Sequence, residues 1–404
     1  MGAASLDYYS IWPYFVAMGL LLVLIHSPFF RLADSPPTDA KGRVANVDGL
    51  RGFLAMAVVF QHVAVYHNYL LTAQWLYPQS HFYFLLGEVG VSFFFMITGY
   101  LFYTQLLRAQ GFPNWRKLYV GRAFRILPLY WFAVILVLAG VLSHTGFHLR
   151  VPAVQFVSEI LRWSAGGLFE AIPINGYSET KRLIVAVIWT LRFEWIFYFS
   201  LPLLAIFVSL RKIGWLFPMI MLGFFLIHEA LAPNPTTFLY GALFCIGMGA
   251  AVLKFVRPHL EVSGPWASLA ALALLVTAFT VAKTSYSPVP ALLLGAVFFL
   301  IVLGTDLFGI LATRPARRMG NISYGLYLLQ GPVFAGLLSF SAVRSLDTVS
   351  PLGHWAFALL EGVALISLAT LAHVLIERPG IALGRRFSGT HAPATKDAGA
   401  SLAS

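Results

Sequence analysis

The sequence predicts an all-α, polytopic membrane protein of about eleven transmembrane helices, and three observations carry that expectation. Of the 404 residues 59% are hydrophobic and only 11% charged, against roughly 45–50% and roughly 25% in soluble domains. Apolar runs of about twenty residues, enough to cross ~30 Å of hydrocarbon, recur along the whole chain. Lys and Arg gather in alternate loops, as they do when every run crosses the bilayer. The mean hydropathy of +0.79 agrees.

The first run, 9–30, resembles a signal peptide in length. Residues 1–10 hold no Lys or Arg, and no small-residue cleavage pattern follows Phe30, so a retained span is expected. Runs at 50–71, 82–103, 126–143, 184–209, 214–231, 237–256, 266–283, 288–311, 322–341 and 354–376 supply the other spans. Pro128 would then sit in the first turn of its helix, where its missing N–H is harmless. The longest outer loop, 144–183, carries a short amphipathic piece at 153–162, expected as an interfacial helix, with a lid or docking surface as the alternative. The segment after Arg386, FSGTHAPATKDAGASLAS, is small and polar and is expected to be disordered. The organisation expected is an extra N-terminal span and loop (1–45), a membrane domain (46–380) and a tail (381–404).

The net charge is +11, from 27 Lys and Arg against 16 Asp and Glu. In a membrane protein this excess follows from the positive-inside rule, so no nucleic-acid partner is expected and the lipid bilayer is the first partner. One set of loops holds Arg31, Lys41, Arg43, Arg108, Arg116, Lys117, Arg122, Arg125, Arg211, Lys212, Lys254, Arg257, Arg314, Arg317 and Arg318, and the tail adds Arg378, Arg385, Arg386 and Lys396. The other side holds only Arg150, Arg162, Lys181, Arg182, Lys283 and Arg344. The N-terminus is therefore expected outside and the C-terminus in the cytoplasm. The single cysteine, Cys245, excludes a disulfide scaffold and a cysteine zinc site. No internal repeat is evident, which disfavours inverted-repeat transporters.

An ionisable side chain at membrane depth costs about 2.5–3.5 kcal/mol on insertion scales, so each one is a candidate for a functional role. Those at such depths are Arg51, His62, Glu88, Arg192, Glu194, Asp306, Glu361 and His373. Arg51 and His62 are eleven residues apart, almost three whole helical turns, so they share a face about 16 Å apart. That puts Arg51 near the cytoplasmic surface and His62 near the midplane. A ligand anionic at one end and reactive at the other, such as an acyl-CoA, fits the track. The structural alternative is a snorkelling Arg51 and a His62 bonded to a neighbouring helix.

Glu194, expected about ten residues into its span, would lie at the depth of His62. It could hold one imidazole nitrogen and leave the other free to take a proton, or alternatively make a structural pair with a neighbouring helix. Arg192 points about 200° away from it. Arg122 and Arg125, at i and i+3 at a helix start, suit phosphate binding, although positive-inside placement also explains them. Glu88 lies nearer the outer face, where it could touch an acceptor. Asp306 and Glu361 read as packing or interfacial groups, and His67, about 140° from the His62 face, does not read as a second base. No cluster has metal-ligand spacing, and no GxxxxGKS loop occurs.

Six segments together resemble the acyltransferase family 3 membrane proteins, which O-acylate glycans and some small molecules. VDGLRGFLAMAVVFQH resembles the family's opening signature, an arginine followed after ten residues by a histidine, met by Arg51 and His62. GVSFFFMITGYLF, GRAFRILPLYWF, WTLRFEWIFYF, SYGLYLLQGPV and IERP follow in family order, so that the likeness runs from about 46 to 379. Two positions depart from the pattern: Gln330 stands where members often carry His, and Thr98 where they often carry Ser. Gln330 keeps hydrogen-bonding capacity but is neither acid nor base.

The resemblance implies a catalytic His62 with Arg51 as its companion, Arg122, Arg125 and Arg51 on the acyl-CoA, and Glu194 as a functional core carboxylate. Glu88, Asp48 and Tyr324 are the candidates for substrate contacts. The function expected is transfer of an acyl group, acetyl first, from acetyl-CoA or another acyl-CoA to a hydroxyl of a cell-envelope polysaccharide or lipid-linked glycan. The site would lie in a bacterial cytoplasmic membrane and need no metal. With no hydrolase-like domain after the last run, the membrane domain or a separate protein must deliver the acyl group. The alternatives are acylation of a small acceptor such as a macrolide, and a proton-coupled transporter or flippase.

Overall fold

The computed structural model describes residues 6–34, 44–210, 212–231 and 237–389. Lys41, Arg43, Arg211 and Lys396 of the basic loops, and the tail beyond Gly389, lie outside them. Every regular element among the described residues is helical, as expected, with one isolated bridge between Ile174 and Tyr177. In order these are α1 (Trp12–His26), α2 (Ala45–Thr72), α3 (His81–Arg108), α4 (Trp115–His144), α5 (Ala153–Ser164), α6 (Trp189–Ser209), α7 (Lys212–Leu231), α8 (Thr237–Val256), α9 (Pro265–Val281), α10 (Pro288–Leu303), α11 (Arg314–Asn321), α12 (Ser323–Leu338), α13 (Ser341–Val349), α14 (Pro351–Ala372) and α15 (Arg378–Phe387).

Among the described residues seven helical stretches are long and apolar enough to cross a membrane, and α12 with α13, bent by 100°, would make an eighth. This is fewer than the eleven expected. The shortfall lies in α1, α9 and α10, of 15, 17 and 16 residues; at 1.5 Å per residue they reach about 22–26 Å, less than the hydrocarbon thickness. Composition found the apolar runs but could not see where each helix stops. The run 288–311, for example, breaks at Gly304 (φ 125°) and then turns through left-handed Leu307 and Phe308. Residues 381–387, expected in the tail, continue α15, packed on Phe124 of α4.

α2 and α3 are buried over most of their length and form the centre of the bundle. α1, α2, α4, α12 and α14 share one apolar core; α3, α6, α8 and α10 share another against α2. The outer helices expose large apolar side chains, among them Ile135, Ile196, Phe199, Leu203, Ile206 and Ile220. Such a belt suits lipid and would be an aggregation liability in water. α1 is fixed by Arg318 of α11, only 1% exposed. Its guanidinium donates to both oxygens of Asp34 (2.7 and 2.9 Å) and to the last carbonyls of α1, those of Ile25 (2.8 Å) and His26 (3.0 Å).

Two helix starts differ from expectation and both move functional residues. α4 begins at Trp115, capped by Asn114, whose Oδ1 accepts from the Lys117 N–H at 2.9 Å. Pro128 is therefore inside the helix, and Arg122 and Arg125 lie two to three turns in, away from the free N–H groups of its first turn. The run expected to start a span at 184 is instead a 3-10 turn, Ser178–Ile184, followed by left-handed Val185 and Ala186. This turn packs on α12 at Gly331, where a Cβ would fall 2.4 Å from the Ile184 Cα; only glycine allows that approach. α6 then starts at Trp189, so Glu194 is five residues into its helix, not ten.

Candidate active site

A cavity of about 770 Å³ opens where α2 and α4 begin and α3 ends. Asp48 and Arg51 of α2, Arg122 and Arg125 of α4, Glu194 of α6 and Tyr324 of α12 all line it, so six of the sequence candidates meet in one place. α2 is held there by α11: Gly320 lies so near the Asp48 carbonyl that a Cβ would be 1.8 Å from its oxygen. Arg108 and Lys117 also line the cavity, and nothing in their spacing marks them out. Five basic side chains against Asp48 and Glu194 give the walls a positive balance that concentrates anions.

Glu194 does not reach His62, contrary to the expectation from its depth. Its Oε2 accepts from Arg122 Nη2 at 3.1 Å and from the Tyr198 hydroxyl, which also takes hydrogen bonds from the Arg122 guanidinium. The later start of α6 is the reason, since it sets Glu194 against α4. Arg122 lies over the rings of Phe102 (5.2 Å) and Tyr198 (4.9 Å) as well. It is thus fixed in place by a carboxylate, a phenol and two aromatic faces.

Along α12, Tyr324, Tyr327 and Gln330 recur every three residues, so they stack along one side of the helix at about 4.5 Å intervals. The Tyr324 hydroxyl donates to the Ile126 carbonyl at 3.0 Å, and the Tyr327 hydroxyl to that of Val187 at 3.1 Å. Both tyrosines line the cavity. One turn on, Gln330 Oε1 is 2.9 Å from His62 Nδ1. The cavity therefore closes one helical turn short of His62, which is not in its lining, beside Phe94 in edge contact with Tyr327 (5.9 Å).

Gln330 decides the protonation pattern of His62. Its Nε2 donates to the Tyr327 carbonyl at 2.7 Å. A carbonyl only accepts, so the amide nitrogen must face it and Oε1 must face the imidazole. Oε1 in turn only accepts, so Nδ1 of the neutral ring carries the hydrogen and Nε2 keeps its lone pair. Gln330, conspicuous in the sequence only as a departure from the family pattern, takes the imidazole-holding role expected of Glu194.

The remaining ionisable residues at membrane depth lie away from the cavity. Glu88 accepts from Thr284 Oγ1 and the Ser285 N–H, both at 2.7 Å, and so braces the turn before α10 outside the cavity lining. Arg192 is exposed. Asp306 caps a turn through the Gly309 N–H at 3.0 Å. Glu361 is fully buried, neither oxygen bonded among the described residues. His373 Nδ1 is 3.1 Å from Glu377 at a π-helical turn. His67, Asp347 and His354, which no metal-ligand spacing in the sequence connects, meet in a buried cluster whose ligand atoms lie within 4.8 Å of one another.

Residues 44–372 match the family described as acyltransferase domain. Nodulation protein 10 of Rhizobium leguminosarum bv. viciae is 26% identical over 373 residues, covering 85% of this chain and 95% of that one. The peptidoglycan O-acetyltransferase OatA of Listeria monocytogenes is 26% identical over 378 residues, covering 83% of this chain but only 55% of the longer protein. No solved structure matches.

Proposed function

The chain belongs to the acyltransferase domain family, and from that premise we propose that it is a membrane O-acyltransferase moving an acetyl group from acetyl-CoA to a hydroxyl of a cell-envelope polysaccharide or lipid-linked glycan. The single observation that carries the reading is the cationic cavity ending one turn from His62. Arg51, Arg125, Arg108 and Lys117 offer the charge for the phosphates of the donor. Ser323, whose buried hydroxyl has no partner among the described residues, also lines the cavity and suits an amide of the pantetheine arm.

In this proposal the basic end faces the cytoplasm of a bacterium, with the N-terminus outside. The donor enters there, and the thioester passes Phe94 and Tyr327 to His62. His62 Nε2 takes the proton of the acceptor hydroxyl as its oxygen attacks the thioester carbonyl. The C–S bond then breaks, the ester forms, and the CoA thiolate leaves with the proton from Nε2. Gln330 stabilises the imidazolium by accepting from Nδ1–H throughout. The glycan acceptor follows the relative whose name states peptidoglycan O-acetylation.

The test is acetyl-CoA binding and CoA release by detergent-purified protein given cell-envelope glycan. Saturable binding weakened in Arg51→Ala and Arg125→Ala, with release lost in a folded His62→Ala, supports the reading. No binding of acetyl-CoA or longer acyl-CoAs, or turnover retained in His62→Ala, overturns it.

A further inference from the structure

We propose that His67, Asp347 and His354 form a binding site for one divalent metal ion of the zinc class, separate from the acyl-transfer site. The three side chains come from three helices, α2, α13 and α14, and their ligand atoms lie within 4.8 Å of one another. Asp347 Oδ2 is 2.9 Å from His67 Nδ1, and Oδ1 is 2.7 Å from His354 Nδ1. The residues are 2%, 0% and 1% exposed.

The local fold is built to make them meet. The 100° bend after α12 turns α13 back toward α2. Ser350 then caps α14, its Oγ accepting from the Gly353 N–H at 3.1 Å. Gly353 sits where a Cβ would lie 2.1 Å from the Leu346 carbonyl oxygen. This tight turn sets Asp347 and His354, seven residues apart, face to face. The N-terminal segment closes the top: the Tyr8 ring stacks on His67 at 4.3 Å, the Tyr9 ring meets it edge-on, and Trp355 Nε1 donates to the Asp7 carbonyl at 3.3 Å.

A carboxylate removed from water must be compensated, and two neutral imidazoles leave its charge in place. A divalent ion compensates it. Two imidazoles and one carboxylate are borderline donors that suit zinc, whereas magnesium and calcium prefer all-oxygen sets. On binding, each imidazole presents the Nδ1 lone pair and carries its hydrogen on Nε2, any extra proton of the cluster passing to solvent. Water completes the tetrahedron. His67 follows His62 by five residues, about 140° around α2, so the ion acts at a distance from the transferred group: it ties α2 to α13, α14 and the N-terminal segment.

The experiment uses full-length protein carrying a tag without histidines, purified without chelator and analysed for metal content. It is then stripped and titrated with Zn²⁺ alone while unfolding is followed. The expected result is about one equivalent of zinc per chain and a zinc-dependent rise in Tm, both lost in His354→Gln and Asp347→Asn but kept in His62→Ala. Wild-type protein without bound metal and without saturable 1:1 zinc uptake overturns the proposal and leaves a hydrogen-bonded His–Asp–His triad. Zinc retained in full by His354→Gln and Asp347→Asn overturns the residue assignment. Because wild-type protein decides the first question, a variant that fails to fold does not block the test.

Discussion

Replacing Gln330 by Met separates the acceptor of His62 Nδ1–H from everything else at that position. Met nearly matches Gln in volume but cannot accept a useful hydrogen bond, and residue 330 is itself fully buried. The lost contact is the 2.9 Å bond that keeps Nδ1 protonated. Losing a hydrogen-bond acceptor that faces a developing cation costs about 1–3 kcal/mol. The bond strengthens as the ring becomes cationic, so the loss falls on the transition state. At 1.36 kcal/mol per decade this is roughly a 5- to 150-fold fall in kcat. Because Gln330 lies one turn beyond the cavity, the donor KM should change by no more than about twofold, the mark of an interaction made in the transition state. Gln330→Glu keeps an acceptor for Nδ1–H and should recover part of the rate. The assay is CoA release with saturating glycan and varied acetyl-CoA. A Gln330→Met enzyme with wild-type kcat, or a Gln330→Glu enzyme no faster than Gln330→Met, would refute the tautomer argument.

Arg125→Ala should weaken acetyl-CoA binding by at least tenfold, since a charge-assisted contact is worth about 1.5–3 kcal/mol, and leave kcat at saturating donor near wild type; calorimetric binding beside steady-state kinetics checks it. Arg318→Ala should lower stability by about 3 kcal/mol, since it strips partners from Asp34 and the end of α1, and a thermal melt in detergent reads it. The same pair sets an acid limit. Hydrogen bonds from Arg318 hold the Asp34 carboxyl below its usual range, so its contribution is complete above about pH 3.9, the unfolded value, and fades as pH falls through the lower folded one. Melts from pH 6 to pH 3 should show this fall in wild type and not in Asp34→Asn. Gly331→Val should cost about 1–3 kcal/mol through the clash with Ile184, and should raise proteolysis within 178–188 before any global unfolding.

The fold class was legible from composition and the length of the apolar runs, and the shared face of Arg51 and His62 from periodicity along one helix. The 3.6-residue repeat that aligns them does not depend on neighbours. Contacts between helices were not legible in the same way. Placing Glu194 beside His62 assumes that α6 begins at 184, and the left-handed Val185 and Ala186 that delay it carry no glycine to announce them. The start of α4 did have a signal, Pro113 followed by a capping Asn114, masked by the basic stretch that composition assigns to a loop. His67 and Asp347 are separated by 280 residues, beyond the reach of any spacing rule. The only trace of their cluster was an acid and a histidine on either side of Pro351.

The two halves of the candidate site divide work that spacing alone would place on one set of residues. Arg122 faces the cavity, but with Glu194 and Tyr198 bonded to it and two rings beneath it, its charge is largely answered before any phosphate arrives. Arg122 then acts chiefly on shape, holding α4 against α6 where the cavity narrows. A double-mutant cycle distinguishes that from phosphate binding. If Arg122 and Glu194 act as a unit, Arg122→Met and Glu194→Gln should each impair folding or turnover, and together cost little more than either alone, with a coupling of about 0.5–3 kcal/mol. If Arg122 serves the phosphates, its loss should raise the donor KM by the same factor whether residue 194 is Glu or Gln. The geometry favours coupling, because the half-buried Glu194 carboxylate, 3.1 Å from the Arg122 guanidinium, competes for it with a solvated polyanion.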